Sequence, residues 1–496
     1  MAHSRRWFII VVQLASGGRT RLEQHTNELS LAGTPAAGPR GYVSWAFGQG
    51  ARDPYYILVV IYIFYPYFSN TVVGDPIKGQ SLLGYTNAVA GFALAVLAPF
   101  LGAIADKSGR RKPWVVVTVL FMVVGALLLW TVQPDGGGLS IPATLALIVG
   151  INIAFTISEV FHNAMLPSVA PVSKVGFISG IAFAVGNLGG LALMLFVLFA
   201  FSMPGTLDWS FLPEVPWFGI DQAAHEHDRI VGPMAAVWML VFTVPLLLFT
   251  PDGVGSNLRI REAARQGLRD VVATIRRLEH YSNIALYLGS RMFMIDGMVG
   301  VMTFGGVYAS GTFDWDTTAL LIFGLCTSAS AMIGALLGGR IDDLVGSKRT
   351  LEISIAASSI LLVMLVSYQR DTIFFVFDVG REPIWDFPYF RSLPELAYLM
   401  TNQAFALFFV AGLASSRTLM ARLSPPEMTT QFFGLFALSG TVTAFLAPLL
   451  VGSVTSAMNS QRAGFASLTI LMVVGFFGLL FVKEEQSVAH GKAVSG

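Results

Sequence analysis

"GAIADKSGRRKPW" (Gly102–Trp114) is a short charged stretch between two long apolar runs, and "GGRIDDLVGSKRTL" (Gly338–Leu351) repeats its pattern far downstream. Set Asp106-Lys-Ser-Gly109-Arg110-Arg111-Lys112 against Asp343-Leu-Val-Gly346-Ser-Lys348-Arg349, and the carboxylate, the glycine and the basic pair keep their spacing. A charged turn that recurs between apolar runs predicts a duplicated membrane unit, with the turn after the second span of each copy. Glycine permits the tight turn, and the basic residues stay at the cytoplasmic surface. The aspartate is placed to latch a neighbouring helix end in one state and release it in another. Charges that merely set topology would explain the Lys and Arg, but not the repeated Asp and Gly.

Composition agrees with a membrane chain. Hydrophobic residues make up 54% of the 496 and charged residues 12%, against roughly a quarter charged in soluble domains; the mean hydropathy is +0.66. A signal peptide does not explain this, because apolar segments recur throughout and only Trp7–Ala15 has the length of such a core, too short to span. The single Cys326 lies in an apolar run, which excludes intrachain disulfides and thiolate metal sites. A formal charge of +1 without a basic face argues against nucleic acid. No GxxxxGK[ST] loop is present, which argues against ATP as the direct power source. No cofactor or metal is expected, and no nucleophile, base and orienting group come together as an enzyme requires.

Stretches near twenty apolar residues fall at about 44–69, 81–105, 114–133, 141–165, 176–202, 232–250, 284–309, 318–339, 350–368, 396–417, 430–457 and 463–482. This predicts an all-α membrane protein of twelve spans, with no strands, since lipid-facing backbone must satisfy its own hydrogen bonds. The expected organisation is a mobile tail over 1–43, one six-helix bundle over 44–250, a linker over 251–283, a second bundle over 284–482 and a tail over 483–496. Lys and Arg crowd the even-numbered connections, so both termini are expected in the cytoplasm. In the linker, Leu268, Val271, Val272, Ile275 and Leu278 form an apolar stripe beside Arg261, Arg265, Arg269 and Arg276, the pattern of a helix lying on the membrane surface. Gly180-x5-Gly186 and Gly434-x5-Gly440, each soon after a Pro-containing loop, extend the repeat to the fifth and eleventh spans.

Twelve spans in two halves with "DKSGRRK" after the second resemble the major facilitator superfamily. More narrowly, "SWAFGQGARDPYYILVVIYIFYPYF" (44–68), "EVFHNAMLP" (159–167), "RMFMIDGMVGVMTFGGVYASGTFDW" (291–315), "GGRIDDLVGSK" (338–348) and "SRTLMARLSPPEMTTQFFGLFALSGTVTAFLAPLL" (416–450) resemble its vacuole-effluxer-like, autophagy-associated branch. The resemblance implies the superfamily fold, a monomer, solute export with amino acids as the usual cargo, and a central cavity lined by spans 1, 4, 7 and 10. It also implies a bacterial-type inner membrane, or a vacuolar-type membrane in a eukaryote.

A charge near the bilayer centre costs several kcal/mol unless it meets water or a partner, so the few there are the leading site candidates. Arg52 and Asp53 sit well inside span 1, and Pro54 after them is placed to open the helix and bare carbonyls to a ligand. Span 4 carries one polar stripe, Asn152, Thr156, Glu159 and Asn163. Span 7 holds Arg291 and Asp296 on different faces, so at most one of them is expected to point into the pathway; span 10 holds Tyr398, Asn402 and Arg417. The expectation is that Arg52 and Arg291 hold an anionic or carboxylate-bearing solute, with Tyr55, Asn163 and Asn402 shaping the site. Asp53, Glu159 or Asp296 would carry the coupling proton or answer another coupling ion. Asp106, Gly109, Arg110, Arg111, Asp343, Gly346, Lys348 and Arg417 would gate. The competing interpretation is static pairing, Arg52 with Glu159 or Arg291 with Asp53.

His162 reads as a packed histidine rather than a relay, and His225, His227 and Asp228 fall short of a metal set. The aromatic loop after span 9, with Phe374, Phe375, Trp385, Phe387 and Tyr389, is expected at the lipid headgroups or over the exit. The leading function is a proton-coupled exporter of a small polar solute by alternating access. The alternatives are a lipid or amphiphile exporter, and a receptor or assembly factor that kept the fold.

Overall fold

A computed structural model describes residues 29–30, 34–108, 110–134, 137–171, 174–205, 209–210, 212–253, 278–424 and 429–483, with scattered positions between 262 and 276. Twelve helices among these are long and apolar enough to cross a membrane: α1 (Pro39–Val72), α2 (Pro76–Leu97), α3 (Lys112–Thr131), α4 (Ile141–Leu166), α5 (Phe177–Ser202), α6 (Glu226–Phe249), α7 (Ser282–Phe313), α8 (Thr317–Asp342), α9 (Ser347–Ser367), α10 (Leu393–Leu423), α11 (Gly434–Met458) and α12 (Gln461–Leu480). α1 starts at Pro39 rather than near 44, because a proline at the first helical position needs no donor there.

The two halves use the same packing plan. In the first, α1 lies against α5 and α6, α4 against α2 and α3, and α3 against α6; in the second, α7 lies against α11 and α12, α10 against α8 and α9, and α9 against α12. The charged turns match as well. Lys112 Nζ donates to Leu247 O at the end of α6 (2.8 Å), and Lys348 Nζ donates to Leu480 O at the end of α12 (3.3 Å). Each lysine therefore caps the orphan carbonyls of the sixth helix of its own half. The equivalence falls one position away from the sequence alignment, which had set Lys112 against Arg349.

Two further carboxylates hold the charged turns. The side chains of Asp106 and Asp343, and all of Gly109, lie outside the described residues. In the first half Asp252, beyond α6, accepts from the backbone N–H of Arg111 (2.9 Å) and Lys112 (3.2 Å) at the start of α3. In the second, buried Asp342 accepts from Ser347 Oγ (3.0 Å) and lies 3.7 Å from Arg422. Gly346 has φ +93°, the backbone that favours glycine in this turn.

α1 and α11 are interrupted well inside their length. After Pro54, α1 runs as a wide-turned π-helix over Tyr56–Tyr62 and bends at Ile63. Proline has no N–H, so the carbonyl of Gly50 loses its helical partner. Trp238 Nε1 on α6 fills that place, donating to Gly50 O at 2.8 Å. The carbonyl expected to face a ligand is thus taken by a packed indole. α11 breaks between Val442 and Leu446.

Strands do occur, but outside the spans. The loop after α9 forms a small hairpin, β1 (Thr372–Ile373) with β2 (Phe377–Asp378), and Arg370 ties it to Asp314 and to Thr312 O at the end of α7. Phe374, Phe375, Phe377 and Trp385 are exposed on it. Of the linker's expected apolar stripe, Leu268, Val271 and Ile275 lie outside the described residues, as do Arg261 and the side chain of Leu278. Val272, Arg265, Arg269 and Arg276 are helical and exposed.

Candidate functional site

Among the described residues, every hydrogen bond between the halves lies at mid-height or toward the end that carries the 1–2, 5–6, 7–8 and 11–12 loops, here the far end. Tyr56 Oη and Thr303 Oγ1 meet at 3.0 Å, and Asn70 Nδ2 donates to Ser310 Oγ at 2.9 Å. Gln80 Nε2 donates to Thr455 Oγ1 (2.8 Å) and Gln461 O (2.9 Å), and Ser81 Oγ donates to Gly452 O (3.0 Å). Close backbones make this seal. A Cβ on Gly306 would sit 2.0 Å from Ile61 O, and one on Gly84 would sit 2.5 Å from Gly452 Cα. Toward the opposite, basic end, Asn163 and Arg417 are exposed, and a Cβ at Gly180 or Gly434 would meet nothing. The halves are closed at the far end, and at the basic end no hydrogen bond joins them among the described residues.

Beneath the seal is a small cleft of about 50 Å3 between α1, α7, α8 and α10, lined by Tyr62, Met302, Phe323, Thr327, Asn402 and Phe409 among others. Asn402 Nδ2 donates to Thr327 Oγ1 (2.9 Å), whose own proton goes to Phe323 O (2.7 Å). Asn402 thus lines this cleft. Tyr398 is not in the cleft; it is sealed among Tyr308, Phe313, Trp315 and Phe323.

Two buried arginines occupy matching places. Arg52 on α1 donates to Ser158 Oγ (3.3 Å) and His162 Nδ1 (3.3 Å) on α4. Arg291 on α7 donates to Ser416 Oγ (3.3 Å) on α10 and to Phe436 O (3.0 Å) and Ser439 Oγ (2.7 Å) on α11, and its guanidinium lies 3.6 Å over the Phe436 ring. Ser158-Glu159 and Ser416-Arg417 thus stand at equivalent points of the repeat. Each serine holds its half's arginine, and the next residue is acidic in one half and basic in the other. The charge of Glu159 reaches both Arg52 and Arg417. Neither static pairing forms: among the described residues no carboxylate is ion-paired with Arg52 or Arg291. Arg52 Nε and Tyr55 Oη, one helical turn apart, are both buried without a partner.

His162 is structural to this arrangement. Its ring stacks on Trp45 at 4.5 Å; Nε2–H donates to Trp45 O (2.8 Å), which leaves the Nδ1 lone pair for Arg52. The sequence had set it aside as packing; its packing is what aims the arginine.

The other acids stand apart. Asp53 accepts from Gln49 (3.1 Å) and lies against Gly186 on α5. Asp296 Oδ2 accepts from Ala447 N–H (3.0 Å), capping the second segment of α11. Asp296→Ala is expected to cost about 1–2 kcal/mol of stability, the usual loss of a helix cap, while Asp296→Asn keeps an acceptor and most of it. Thermal unfolding of both variants checks this, and equal losses would remove the capping role. Of the remaining gating candidates, Arg110 is exposed at the basic end and Arg111 Nη1 donates to Ser168 Oγ (3.1 Å). Lys348 also pairs with Glu352 (3.2 Å).

Residues 69–492 match the family described as "Vacuole effluxer Atg22 like". An uncharacterised MFS-type transporter, YxiO, of Bacillus subtilis (strain 168) is 24% identical over 451 residues, 90% of this chain and 95% of that protein. Autophagy-related protein 22 of Yarrowia lipolytica (strain CLIB 122 / E 150) is 22% identical over 336 residues, 63% of this chain and 51% of its own; the chain spans about half the length of that fungal relative. Among solved structures, a D-xylose–proton symporter aligns with a TM-score of 0.62 at 14% identity, covering 89% of this chain and 96% of its own. The nucleoside transporter NupG aligns at 0.57 and 13%, covering 90% and 99%.

Proposed function

The chain belongs to the vacuole effluxer Atg22-like family of multi-pass MFS-type transporters, and from that premise we propose that it is a proton-coupled exporter of a small carboxylate-bearing solute, amino acids foremost. The supporting observation is Arg52, a buried guanidinium held only by neutral groups, with one N–H unpartnered beside the unpartnered hydroxyl of Tyr55. Burying a charge without a counter-ion costs several kcal/mol. A solute carboxylate that arrives through the basic-end opening offsets that cost, and Arg291 offers the equivalent point in the other half. The basic end faces the cytoplasm in this reading, so the conformation is the loading state of an exporter.

Glu159 is the coupling residue favoured here over Asp53 and Asp296. Its charge acts on Arg52 and Arg417 and no ion pair among the described residues engages it, whereas the other two are engaged in packing and capping. When the basic end closes, Glu159 and Arg417 approach across the repeat axis and latch. The almost wholly apolar lining around Met302, Phe323, Phe405 and Phe409 favours a second reading, an amphiphile exporter.

Flux of radiolabelled amino acids in proteoliposomes, with and without an imposed proton gradient, tests this. Wild type should accumulate solute only with the gradient, and Glu159→Gln should exchange solute without responding to it. Gradient-independent uptake by both would remove proton coupling, and competition by alkyl amphiphiles but not amino acids would favour the second reading.

A further inference from the structure

The far end carries a titratable cluster that the solute site does not use. We infer that the His225–Asp228 segment at the start of α6 and the Asp316–Thr317 start of α8 form a proton-binding clasp, which holds the far end shut when protonated and frees it when deprotonated. The inference does not depend on which solute is carried.

Asp228 is the hub. Its side chain is 4% exposed; Oδ2 accepts from His225 Nδ1 at 2.9 Å, and His227 Nε2 lies 3.6 Å from Oδ1. Oδ1 also accepts from Thr317 Oγ1 in the other half. The next residue back, Asp316, caps α8 through Ala319 N–H (2.8 Å) and lies within the field of both Asp228 and His227. Two carboxylates from opposite halves are thus brought together, with two imidazoles beside them. His227 Nδ1 is buried without a partner. The joint continues where Thr318 Oγ1 donates to Ser202 O (3.4 Å) at the end of α5.

The other groups facing the cluster are accounted for. Arg229 is turned away to Trp130 O (2.9 Å) and Ala224 O (3.2 Å) and lies 3.8 Å from Glu226. Glu226 accepts from Asp221 N–H (2.9 Å). The Tyr67 ring of α1 lies 5.7 Å from His225, with its hydroxyl donating to Val132 O. None of these supplies a cation to the facing acids, so neutralisation falls to the histidines. A divalent ion is not a substitute: among the described residues no three His, Cys, Asp or Glu side chains are arranged to hold a metal.

The bond to Asp228 raises the pKa of His225 above the usual histidine value, with burial and the Arg229 charge opposing it. Burial raises that of Asp316, and the Asp228 charge adds to the rise. Both groups bind a proton more tightly in the closed joint than in an open, hydrated one. The closing contribution of His225 is therefore fully present below the ordinary histidine range and is lost as pH climbs through the raised value. Above it, Asp228 and Asp316 face each other as like charges. His225, at 39% exposure, gives the far-side solution access to the cluster.

The test uses the full chain in lipid nanodiscs, with no solute. Spin labels at Gln133→Cys and Met458→Cys, both exposed at the far end of opposite halves, are placed in a Cys326→Ser background. Distances are read at about pH 5.5 and about pH 8, either side of the histidine range. The far-open fraction should rise about tenfold at the higher pH, the effect of one unit of differential proton affinity. His225→Gln/His227→Gln should hold the change within about twofold on the same scale. If that pair fails to fold, His225→Gln alone must still cut the response. A response that survives these substitutions, runs in the opposite direction or is absent from wild type overturns the clasp.

Discussion

Arg52→Gln is expected to raise the solute concentration for half-maximal uptake roughly a hundredfold, because losing a bidentate carboxylate contact removes about 3 kcal/mol. Thermal stability should fall far less. The substitution deletes bonds to Ser158 and His162, but it also deletes a buried charge that has no ion-pair partner among the described residues, and the two effects oppose each other. Arg52→Lys should fall between, since an ammonium keeps the charge and loses the planar fork. Binding of a labelled solute and unfolding temperature, measured on the same preparations, separate the outcomes. A large loss of stability with unchanged affinity would make Arg52 a packing residue and leave the solute without its proposed anchor.

The second large effect concerns the seal. Gly306→Val should drive the population out of the far-closed state by about 1–3 kcal/mol, the usual cost of overpacking, or roughly fivefold to a hundredfold. The added carbons meet Ile61 O, a backbone atom that cannot turn aside, at the crossing of α1 and α7. Gly475→Val is the control. Its Cβ would meet Met294 within the second half, 2.6 Å from Cβ and from N, so it should lower the unfolding temperature without changing the balance between states. Labelling of a cysteine placed at Asn70, whose side chain bonds Ser310 across the closed joint, reports the first. Unchanged labelling in Gly306→Val would mean that the seal does not depend on this crossing.

The polar interior shows how far a sequence carries such a protein. Twelve apolar runs and the repeated charged turn were sufficient for the architecture, because lipid forces each run to satisfy its own backbone locally. The intramembrane charges were equally visible, and Arg52, Arg291 and Asn402 lie buried where the spans were placed. Their partners were not visible. Ser158 and Ser416 attract no notice as single serines; aligning the fourth span with the tenth, as the charged turns were aligned, would have paired them. Trp238 and Ala447 carry no comparable sequence signal as partners of Gly50 and Asp296. Asp252 escaped notice because it lies a whole bundle away from the helix start it caps.

The sequence alone therefore determined the number of spans, the duplication and the rarity of the buried charges, all of which follow from hydropathy and spacing along the chain. Only the tertiary structure decided that Asp53 is packed, that Asp296 is a cap, that neither buried arginine has an ion-pair partner among the described residues, and that the hydrogen bonds between the halves gather at the far end. The physical reason is rotation: the face a helix turns to its neighbours is set by contacts with helices far away in sequence, and one residue's rotation carries a charge by about 100° around the axis.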